Sequence, residues 1–255
     1  MKAMIFAAGL GTRLKPLTDT MPKALVTVDG KPLLQHLMEK LRCEGFDRVV
    51  INVHHFADQV VDFVHAHGGF GLEVSISDER SGLLDTGGGL RRAAPLIWHD
   101  GDVEPVLVHN VDILSNVSLA DLVRRHDADR DAVLVVSRRV TQRYLLFDRT
   151  MRLQGWTNVS SGEVRPDSES LRALLPELQP FAFSGIHSLS PRLFPLMDRF
   201  PDRFGIIDFY LSVCHRSRVV GLPKDDLRVL DVGKLDTLQE AERFFSDNGF
   251  YELNK

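Results

Sequence analysis

Apolar and polar residues along the first half of the chain form blocks that predict strands and helices in turn. Short continuous apolar runs are typical of strands buried on both faces of a sheet. Runs in which apolar residues recur every three or four positions predict amphipathic helices. These patterns predict strands at residues 3–6, 49–53, 72–77, 105–108 and 132–137, and helices at residues 32–44, 57–67, 86–94 and 119–126. The alternation predicts an α/β fold with a Rossmann-like, doubly wound sheet.

The alternation becomes less regular after residue 137. Strand patterns follow one another without a helix between them, which predicts a mixed sheet rather than a purely parallel one. In this half we expect strands at residues 144–147, 152–157, 182–188 and 228–232, and helices at residues 191–199, 206–215 and 235–245, with a short segment at residues 171–178 that Pro180 ends. The sequence contains no repeat, low-complexity run or linker, so we expect residues 1–255 to form a single domain with halves at 1–137 and 138–255.

Composition narrows the class of protein. The chain has 255 residues, 44% of them hydrophobic, and a formal net charge of −4, which argues against nucleic acid as the main partner. Cys43 and Cys214 have no metal-binding spacing, and we expect reduced thiols in the core. Because no apolar run approaches membrane-spanning length, we expect a cytoplasmic protein without a membrane partner. Adjacent His54 and His55 would point to opposite faces of a strand, so a zinc site is not expected.

The most informative segment is residues 7–25, which directly follows the first predicted strand. Gly9 and Gly11 allow a tight turn that brings backbone N–H groups against a ligand, while Arg13 and Lys23 add two cations. Free N–H groups and cations together predict a polyphosphate site. The P-loop string G-x-x-x-x-G-K-[ST] is absent, and the dinucleotide fingerprint G-x-G-x-x-G is incomplete because Leu14 stands at the third glycine.

Polar residues also follow the later predicted strands. Asp112 follows residues 105–108, Asp78 and Glu79 follow residues 72–77, and Asp231 lies in the last predicted strand before Gly233. In open parallel sheets, ligands bind beyond the carboxyl ends of the strands. Carboxylate oxygens suit Mg²⁺, which needs only one or two of them when phosphate oxygens complete the shell. Asp112 and Asp231 are therefore candidate Mg²⁺ ligands.

These motifs together resemble those of sugar-1-phosphate nucleotidyltransferases. Residues 9–18 read G-L-G-T-R-L-K-P-L-T and residues 22–25 read P-K-A-L, against the family pattern G-x-G-T-R-L-x-P-L-T and P-K-[PA]-L. Further matches follow in family order, at residues 84–88, 110–112, 183–187 and 230–233. The chain is most similar to the short branch without a C-terminal β-helix, which includes N-acetylmuramate-1-phosphate uridylyltransferases and mannose-1-phosphate guanylyltransferases. The resemblance implies the nucleotide-diphospho-sugar transferase fold, with nucleotide-binding and sugar-binding halves.

The resemblance also implies roles for individual residues. The partners would be a nucleoside triphosphate, UTP by family likeness, and a sugar 1-phosphate, with Mg²⁺ as cofactor. Arg13, Lys23 and Asp112 would be catalytic, and Asp112 and Asp231 would hold the metal. Nucleotide contacts are expected from Ala8, Gly9, Gly11, Thr12, Arg13, Lys23, Thr86, Gly87 and Gly88. Sugar contacts are expected from Asn110, Gly185 and Arg143.

Two departures from the family pattern keep alternatives open. Val111 replaces the glycine that usually precedes the metal-binding aspartate, and the mid-chain lysine that binds the sugar phosphate in many relatives is not found. The basic run at residues 138–143 could substitute for this lysine, or could be a solvated edge turn. A non-catalytic nucleotide sensor therefore remains an alternative. A cytidylyltransferase for phosphocholine-like acceptors is another, because Trp156 and Phe183 permit an aromatic acceptor cage. The base, the sugar and the oligomeric state are not determined by the sequence.

Overall fold

The computed structural model describes residues 1–99 and 101–248. The strands are β1 Lys2–Phe6, β2 Thr27–Val28, β3 Lys31–Pro32, β4 Arg48–Val53, β5 Glu73–Asp78, β6 Val106–Asn110, β7 Ile113–Ser115, β8 Ala132–Ser137, β9 Arg143–Phe147, β10 Leu153–Asn158, β11 Glu163–Arg165, β12 Gln179–Leu189, β13 Val219–Pro223 and β14 Val229–Asp231. The helices are α1 Leu33–Cys43, α2 Ala57–Ala66, α3 Asp85–Ile97, α4 Leu119–Arg124, α5 Glu169–Leu174, α6 Phe194–Met197, α7 Ile206–Val213 and α8 Leu235–Asn248. Short 3₁₀ turns connect several of them.

One mixed sheet of 10 strands organises the described part of the chain. Its first half is parallel, with β1 between β6 and β4 and with β5 outside β4. Strand β12 pairs antiparallel with β6, β8 and β9, and thereby joins strands of the second half to the parallel first half. This arrangement confirms the α/β class and the mixed, doubly wound sheet that the pattern predicted.

The core lies on both faces of the sheet because the central strands carry runs of consecutive apolar residues, such as residues 3–6 of β1 and 49–51 of β4. Side chains alternate between faces along a strand. Ala3 and Ile5 of β1 therefore pack into one cluster of buried residues with α1, while Met4 packs into a second cluster with α3. Continuous apolar runs such as that of β4 follow from this burial on two faces.

A smaller ladder brings two distant segments together beside this sheet. Strand β14 pairs antiparallel with β7, so that Asp231 lies opposite Ile113. The N–H of Val232 donates to the carbonyl of Asp112 at 2.8 Å. A third apolar cluster, which includes Leu114, Leu230 and Ala241, packs α8 against this ladder. The residues around positions 112 and 231 are thus neighbours despite their separation in sequence.

Several elements differ from the sequence prediction, which contains none of the short strands β2, β3, β7 and β11. Strand β13 was not predicted, because Gly221 and Pro223 interrupt its short apolar run. The helix expected at residues 191–199 is a 3₁₀ turn followed by the short α6, with Pro195 inside it. Helix α3 continues through Pro95 to Ile97 instead of ending at residue 94.

Two further expectations concern the cysteines and the membrane. Cys43 and Cys214 are both free thiols in the structure, but only Cys214 is buried. Cys43 is exposed at the end of α1, so the expected core position is wrong for this residue. Across residues 1–99 and 101–248, the structure contains no helix with the length and apolar character needed to cross a bilayer.

Candidate active site

A cavity of about 420 Å³ opens at the carboxyl ends of β1, β4 and β6. Its wall is formed by residues 6–13, by Asn52 near the end of β4, by Glu79 directly after β5, and by residues 110–112. The cavity is also lined by Lys23, Thr86, Arg203 and Gly233. This is the edge where ligands bind in open parallel sheets.

The loop after β1 presents unpaired backbone donors to this cavity. The N–H groups of residues 9–13 have no hydrogen-bond acceptor among the residues that the structure describes. Gly11 adopts φ +63°, and a Cβ on it would lie 2.8 Å from the Thr18 side chain, so glycine is required there. The Gly11 carbonyl accepts from the Thr18 hydroxyl at 2.8 Å, which holds the turn. The loop has the form of an anion-binding backbone concavity.

Lys23 is a buried cation at the floor of this cavity. It is 8% exposed, and its ammonium group pairs with the Asp112 carboxylate. The 3₁₀ turn Lys23–Leu25 that carries it begins after Pro22. A cation held this far from bulk water acts on a nearby phosphate more strongly than a surface lysine.

Asp231 lies next to Arg13 and Gly233, which both line the cavity. Its carboxylate is 4.0 Å from the Arg13 guanidinium. A Cβ at Gly233 would lie 2.6 Å from this carboxylate and 2.7 Å from the guanidinium, so the absence of a side chain permits their approach. Partial removal from water, and then the neighbouring Asp112 carboxylate, raise the pKa of Asp231 above its ordinary value.

The chemistry of these two carboxylates fits a divalent cation. Like charges brought together at partial burial raise the free energy of the metal-free protein, and a bound cation relieves this repulsion. The described residues contain no group of three or more His, Cys, Asp or Glu side chains that could hold a metal. Two carboxylates with phosphate oxygens and water satisfy Mg²⁺, but they would not form a closed structural metal site.

The glycines of the segment at residues 84–88 have a different environment from the one expected. Thr86 lines the cavity, but the N–H groups of Gly87 and Gly88 both donate to the carbonyl of Phe204, at 2.9 and 3.2 Å. A Cβ on Gly88 would lie 2.2 Å from the carbonyl oxygen of Asp202. Gly87 and Gly88 are therefore used for close packing of α3 against the segment before α7, and not to line the cavity.

The expected acceptor side begins at Asn110. Asn110 lines the cavity at the end of β6, and Gly185 of β12 lies beside it. Gly185 has φ +79°, and a Cβ there would lie 2.8 Å from the Asn110 amide nitrogen. The side chain of Val111, in contrast, is 4% exposed and belongs to the apolar core, so this substitution for glycine is accommodated by packing.

A second cavity of about 340 Å³ contains Arg143 and two further arginines, Arg139 and Arg165. The Arg165 guanidinium stacks 4.0 Å from the centre of the Trp156 ring and pairs with Asp208 at 2.7 Å. Arg139 donates to the carbonyl of Phe183 on β12 at 3.0 Å. Phe183 lines the second cavity and is two residues from Gly185, which lies beside Asn110 of the first cavity, so the two cavities are neighbours along β12.

The sequence prediction gives no role to Asn52, Arg165 or Arg203, which line these cavities, and it identifies Glu79 only as a polar residue after a strand. A polar residue at the end of a parallel strand is the signal that could also have identified Asn52. Arg165 is a mid-chain cation that lines the second cavity. Arg203 is brought to the cavity by the backbone contacts of residues 202–206 with α3, which no local pattern records.

Comparison with known proteins agrees with this geometry. The family model described as Nucleotidyl transferase matches residues 2–144. An N-acetylmuramate alpha-1-phosphate uridylyltransferase of Caulobacter vibrioides is 30% identical over 233 residues, covering 88% of this chain and 89% of that protein. A protein of the same name from Neisseria meningitidis serogroup B is 41% identical over 117 residues, covering 46% of this chain and 49% of the relative.

Solved structures share the fold at lower identity. HddC from Yersinia pseudotuberculosis superimposes with a TM-score of 0.73 at 21% identity, over 96% of this chain and 99% of that chain. An inositol-1-phosphate CTP transferase from T. maritima gives 0.74 at 15% identity, over 97% of this chain and 96% of that chain. The family match and the relative that spans most of the chain together confirm the resemblance of its motifs. This chain belongs to the nucleotidyl transferase family, within the sugar-1-phosphate nucleotidyltransferases.

Proposed function

We propose that this protein transfers a nucleotidyl group from UTP to a sugar 1-phosphate in a Mg²⁺-dependent reaction that releases pyrophosphate. The observation that carries the proposal is the convergence of Lys23, Arg13, Asp112 and Asp231 beside the unpaired N–H groups of residues 9–13. The names of the relatives from Caulobacter and Neisseria support UTP as the nucleotide. Transfer between phosphates needs positioning and charge stabilisation, which this arrangement supplies.

The reaction is a substitution at the α-phosphorus. An oxygen of the sugar phosphate forms the new bond in line, the bond to the β-phosphate breaks, and pyrophosphate leaves with both bonding electrons. The nucleophile is already ionised, so no general base is needed. The backbone donors of residues 9–13 bind the triphosphate, Arg13 stabilises the leaving pyrophosphate, and Lys23 stabilises the charge that develops at the α-phosphate.

Asp112 and Asp231 would hold Mg²⁺. When bound, the ion neutralises phosphate charge and helps to align the two substrates. Metal binding would also give the Asp112 carboxylate a second cationic partner besides Lys23. We infer that Lys23 then becomes available to the α-phosphate, because Asp112 would be shared between Lys23 and the metal ion.

The second cavity is the proposed acceptor site. N-acetylmuramate, named in both relatives, carries a carboxylate in addition to its 1-phosphate. Arg139 and Arg143 line this cavity without a carboxylate partner among the described residues, whereas Arg165 is paired with Asp208. Charge complementarity therefore favours an acidic acceptor such as N-acetylmuramate 1-phosphate over a neutral sugar 1-phosphate.

A pyrophosphate-release screen tests the function. We would combine UTP, GTP, CTP and dTTP with the 1-phosphates of N-acetylmuramate, N-acetylglucosamine, glucose and mannose, with Mg²⁺ and with EDTA. We expect release with UTP and N-acetylmuramate 1-phosphate, and none with EDTA. Calorimetric binding of UTP without turnover of any acceptor would instead favour a sensor, and release only with CTP would favour a cytidylyltransferase.

Arg143→Gln tests the acceptor site. We expect kcat/KM for N-acetylmuramate 1-phosphate to fall by about tenfold or more, since one charged hydrogen bond is lost. The value for N-acetylglucosamine 1-phosphate, which lacks the carboxylate, should change much less. Arg138→Gln is the matched control, because Arg138 stacks on Phe181 at 4.8 Å and does not line the cavity. Equal losses for both acceptors would refute recognition of the carboxylate by Arg143.

A further inference from the structure

Asn52 and Glu79 form a buried polar pair at the back of the nucleotide cavity. Asn52 lies near the end of β4 and is 3% exposed, while Glu79 directly follows β5 and is 1% exposed. The Asn52 amide nitrogen donates to the Glu79 carboxylate at 2.7 Å. No ion pair of Glu79 is found among the residues that the structure describes, so this buried carboxylate is held by neutral donors.

The other end of Asn52 holds the loop after β1. Its amide oxygen accepts from the N–H groups of Ala7 at 2.7 Å and Ala8 at 3.3 Å. Because these two donors are turned toward Asn52, the chain leaves β1 in a fixed direction. The unpaired N–H groups that line the cavity begin at the next residue, Gly9.

The other side of Glu79 holds the segment that leads into α3. Its second carboxylate oxygen accepts from the N–H of Leu84 at 3.2 Å, and its carbonyl accepts from the N–H of Gly82 at 3.0 Å. A Cβ on Gly89 of α3 would lie 2.7 Å from the carboxylate and 3.1 Å from the Asn52 amide. Because residue 89 has no side chain, there is room for the side chains of Asn52 and Glu79.

We propose that Asn52 and Glu79 are positioning residues for the nucleoside triphosphate. They join the phosphate-binding loop to the segment at residues 84–86 through one continuous run of hydrogen bonds, and so set the distance between the two walls of the nucleotide cavity. Leaving a buried carboxylate or amide unpaired is costly, so the pair tolerates few alternative geometries. This inference rests on the proposed function, because it assumes that the cavity binds a nucleotide.

Exchange of the two side chains provides a specific test. Asn52→Asp alone places two carboxylates within hydrogen-bond distance, and Glu79→Gln alone leaves one donor facing another. In the double variant the introduced carboxylate accepts from residues 7 and 8 and from the introduced amide, whose oxygen accepts from Leu84. All bonds and the total charge are then restored with the pair reversed.

Direct binding of UTP, measured by isothermal titration calorimetry, is the primary readout. We expect the Kd of N52D to rise by about tenfold or more, the loss of a hydrogen bond to a charged group. The double variant should return to within about threefold of wild type, because changes at two residues in contact compensate each other instead of adding. In turnover, the KM for UTP should follow the Kd, while the KM for the sugar 1-phosphate stays unchanged.

Gln35→Glu is the matched control, because Gln35 donates to Glu39 at 2.8 Å on α1, away from the cavity. This variant makes the same change of amide to acid and should bind UTP as wild type does. The proposal would be overturned if the double variant bound UTP no more tightly than N52D does. It would also be overturned if N52D bound UTP with the Kd of wild type. If N52D does not fold, the comparison of E79Q with the double variant decides it: rescue of the Kd supports the pair and no rescue overturns it.

These outcomes are separate from failure of the proposed function. If wild type binds UTP but turns over no acceptor, the calorimetric comparison still decides the role of the pair. If wild type does not bind UTP, both proposals fail. If N52D raises the KM for the sugar 1-phosphate as well as the Kd for UTP, the substitution damages the whole site. That result would also overturn a role specific to the nucleotide.

Discussion

Lys23 and Asp112 show how single residues acquire a role from their partners. Each is a common residue type in a loop, and neither identifies a reaction by itself. The structure removes Lys23 from water and places the Asp112 carboxylate on it, with the Asp231 carboxylate nearby. At the residue scale, the proposed chemistry depends on the balance between these charges.

Substitution of Lys23 tests that balance. We expect Lys23→Ala to lower kcat for pyrophosphate release by about 10²–10³-fold, the usual cost of losing one preorganised charge contact. Lys40→Ala is a suitable control, because Lys40 pairs with Glu44 at 2.9 Å and its side chain is 13% exposed, yet it does not line the cavity. Near-normal turnover by a folded Lys23→Ala protein would rule out the assigned role.

At the scale of elements, the contact between α3 and the segment before α7 determines one wall of the cavity. Phe204 accepts from the N–H groups of Gly87 and Gly88, and its own N–H donates to Leu84 at 3.3 Å. Arg91 of α3 donates to the carbonyls of Met197 and Phe200 at 3.0 and 2.9 Å. These contacts join the first half of the chain to the second across the nucleotide cavity.

We predict that Gly88→Ala disrupts this contact. A Cβ there would lie 2.2 Å from a backbone carbonyl, which cannot move without shifting the whole segment. We expect a loss of about 1–3 kcal/mol in the free energy of unfolding, measured by urea titration, together with a higher KM for UTP. Gly82→Ala is the control, since no atom lies within 4 Å of a Cβ at that position. Equal stability of the two variants would contradict this account.

At the scale of the whole molecule, the interior contains a histidine that the proposed chemistry does not use. His187 of β12 is 2% exposed, and neither of its ring nitrogens has a hydrogen-bond partner within residues 1–99 and 101–248. Its ring stacks on Phe183 at 5.5 Å and meets the edge of Tyr210 at 5.6 Å. Burial, and then the charge of His109, lower the pKa of His187 to about 3.

This histidine predicts a loss of stability in acid. The unfolded chain takes up a proton near the ordinary pKa of about 6.5, whereas the folded protein does so only near 3, so stability is fully present above 6.5 and falls as the pH is lowered. In wild type the free energy of unfolding, measured by urea titration, should fall between pH 7.5 and pH 5. His187→Phe should make this fall smaller by about 2 kcal/mol. His65→Phe, at an exposed position on α2, should leave that decrease unchanged. An identical pH dependence in His187→Phe and wild type would disprove the prediction.

The sequence by itself determined the order of the main strands and helices, the mixed sheet and the motif family. These follow from local periodicity, and from residue types that must stand at the ends of strands. The sequence also identified Asp112, Asp231, Arg13 and Lys23 as candidates, because carboxylates, cations and glycines at such positions suit phosphate and Mg²⁺. Their roles in catalysis stay predictions until the variants are measured.

Only the tertiary structure decided which of these candidates meet, and what each glycine is for. Gly87 and Gly88 pack against residues 202–204, Arg165 reaches the second cavity, and Asn52 joins the two walls of the first. Each of these contacts joins segments far apart in the chain. Local periodicity carries no information about such contacts, because they depend on the register and packing of the completed sheet.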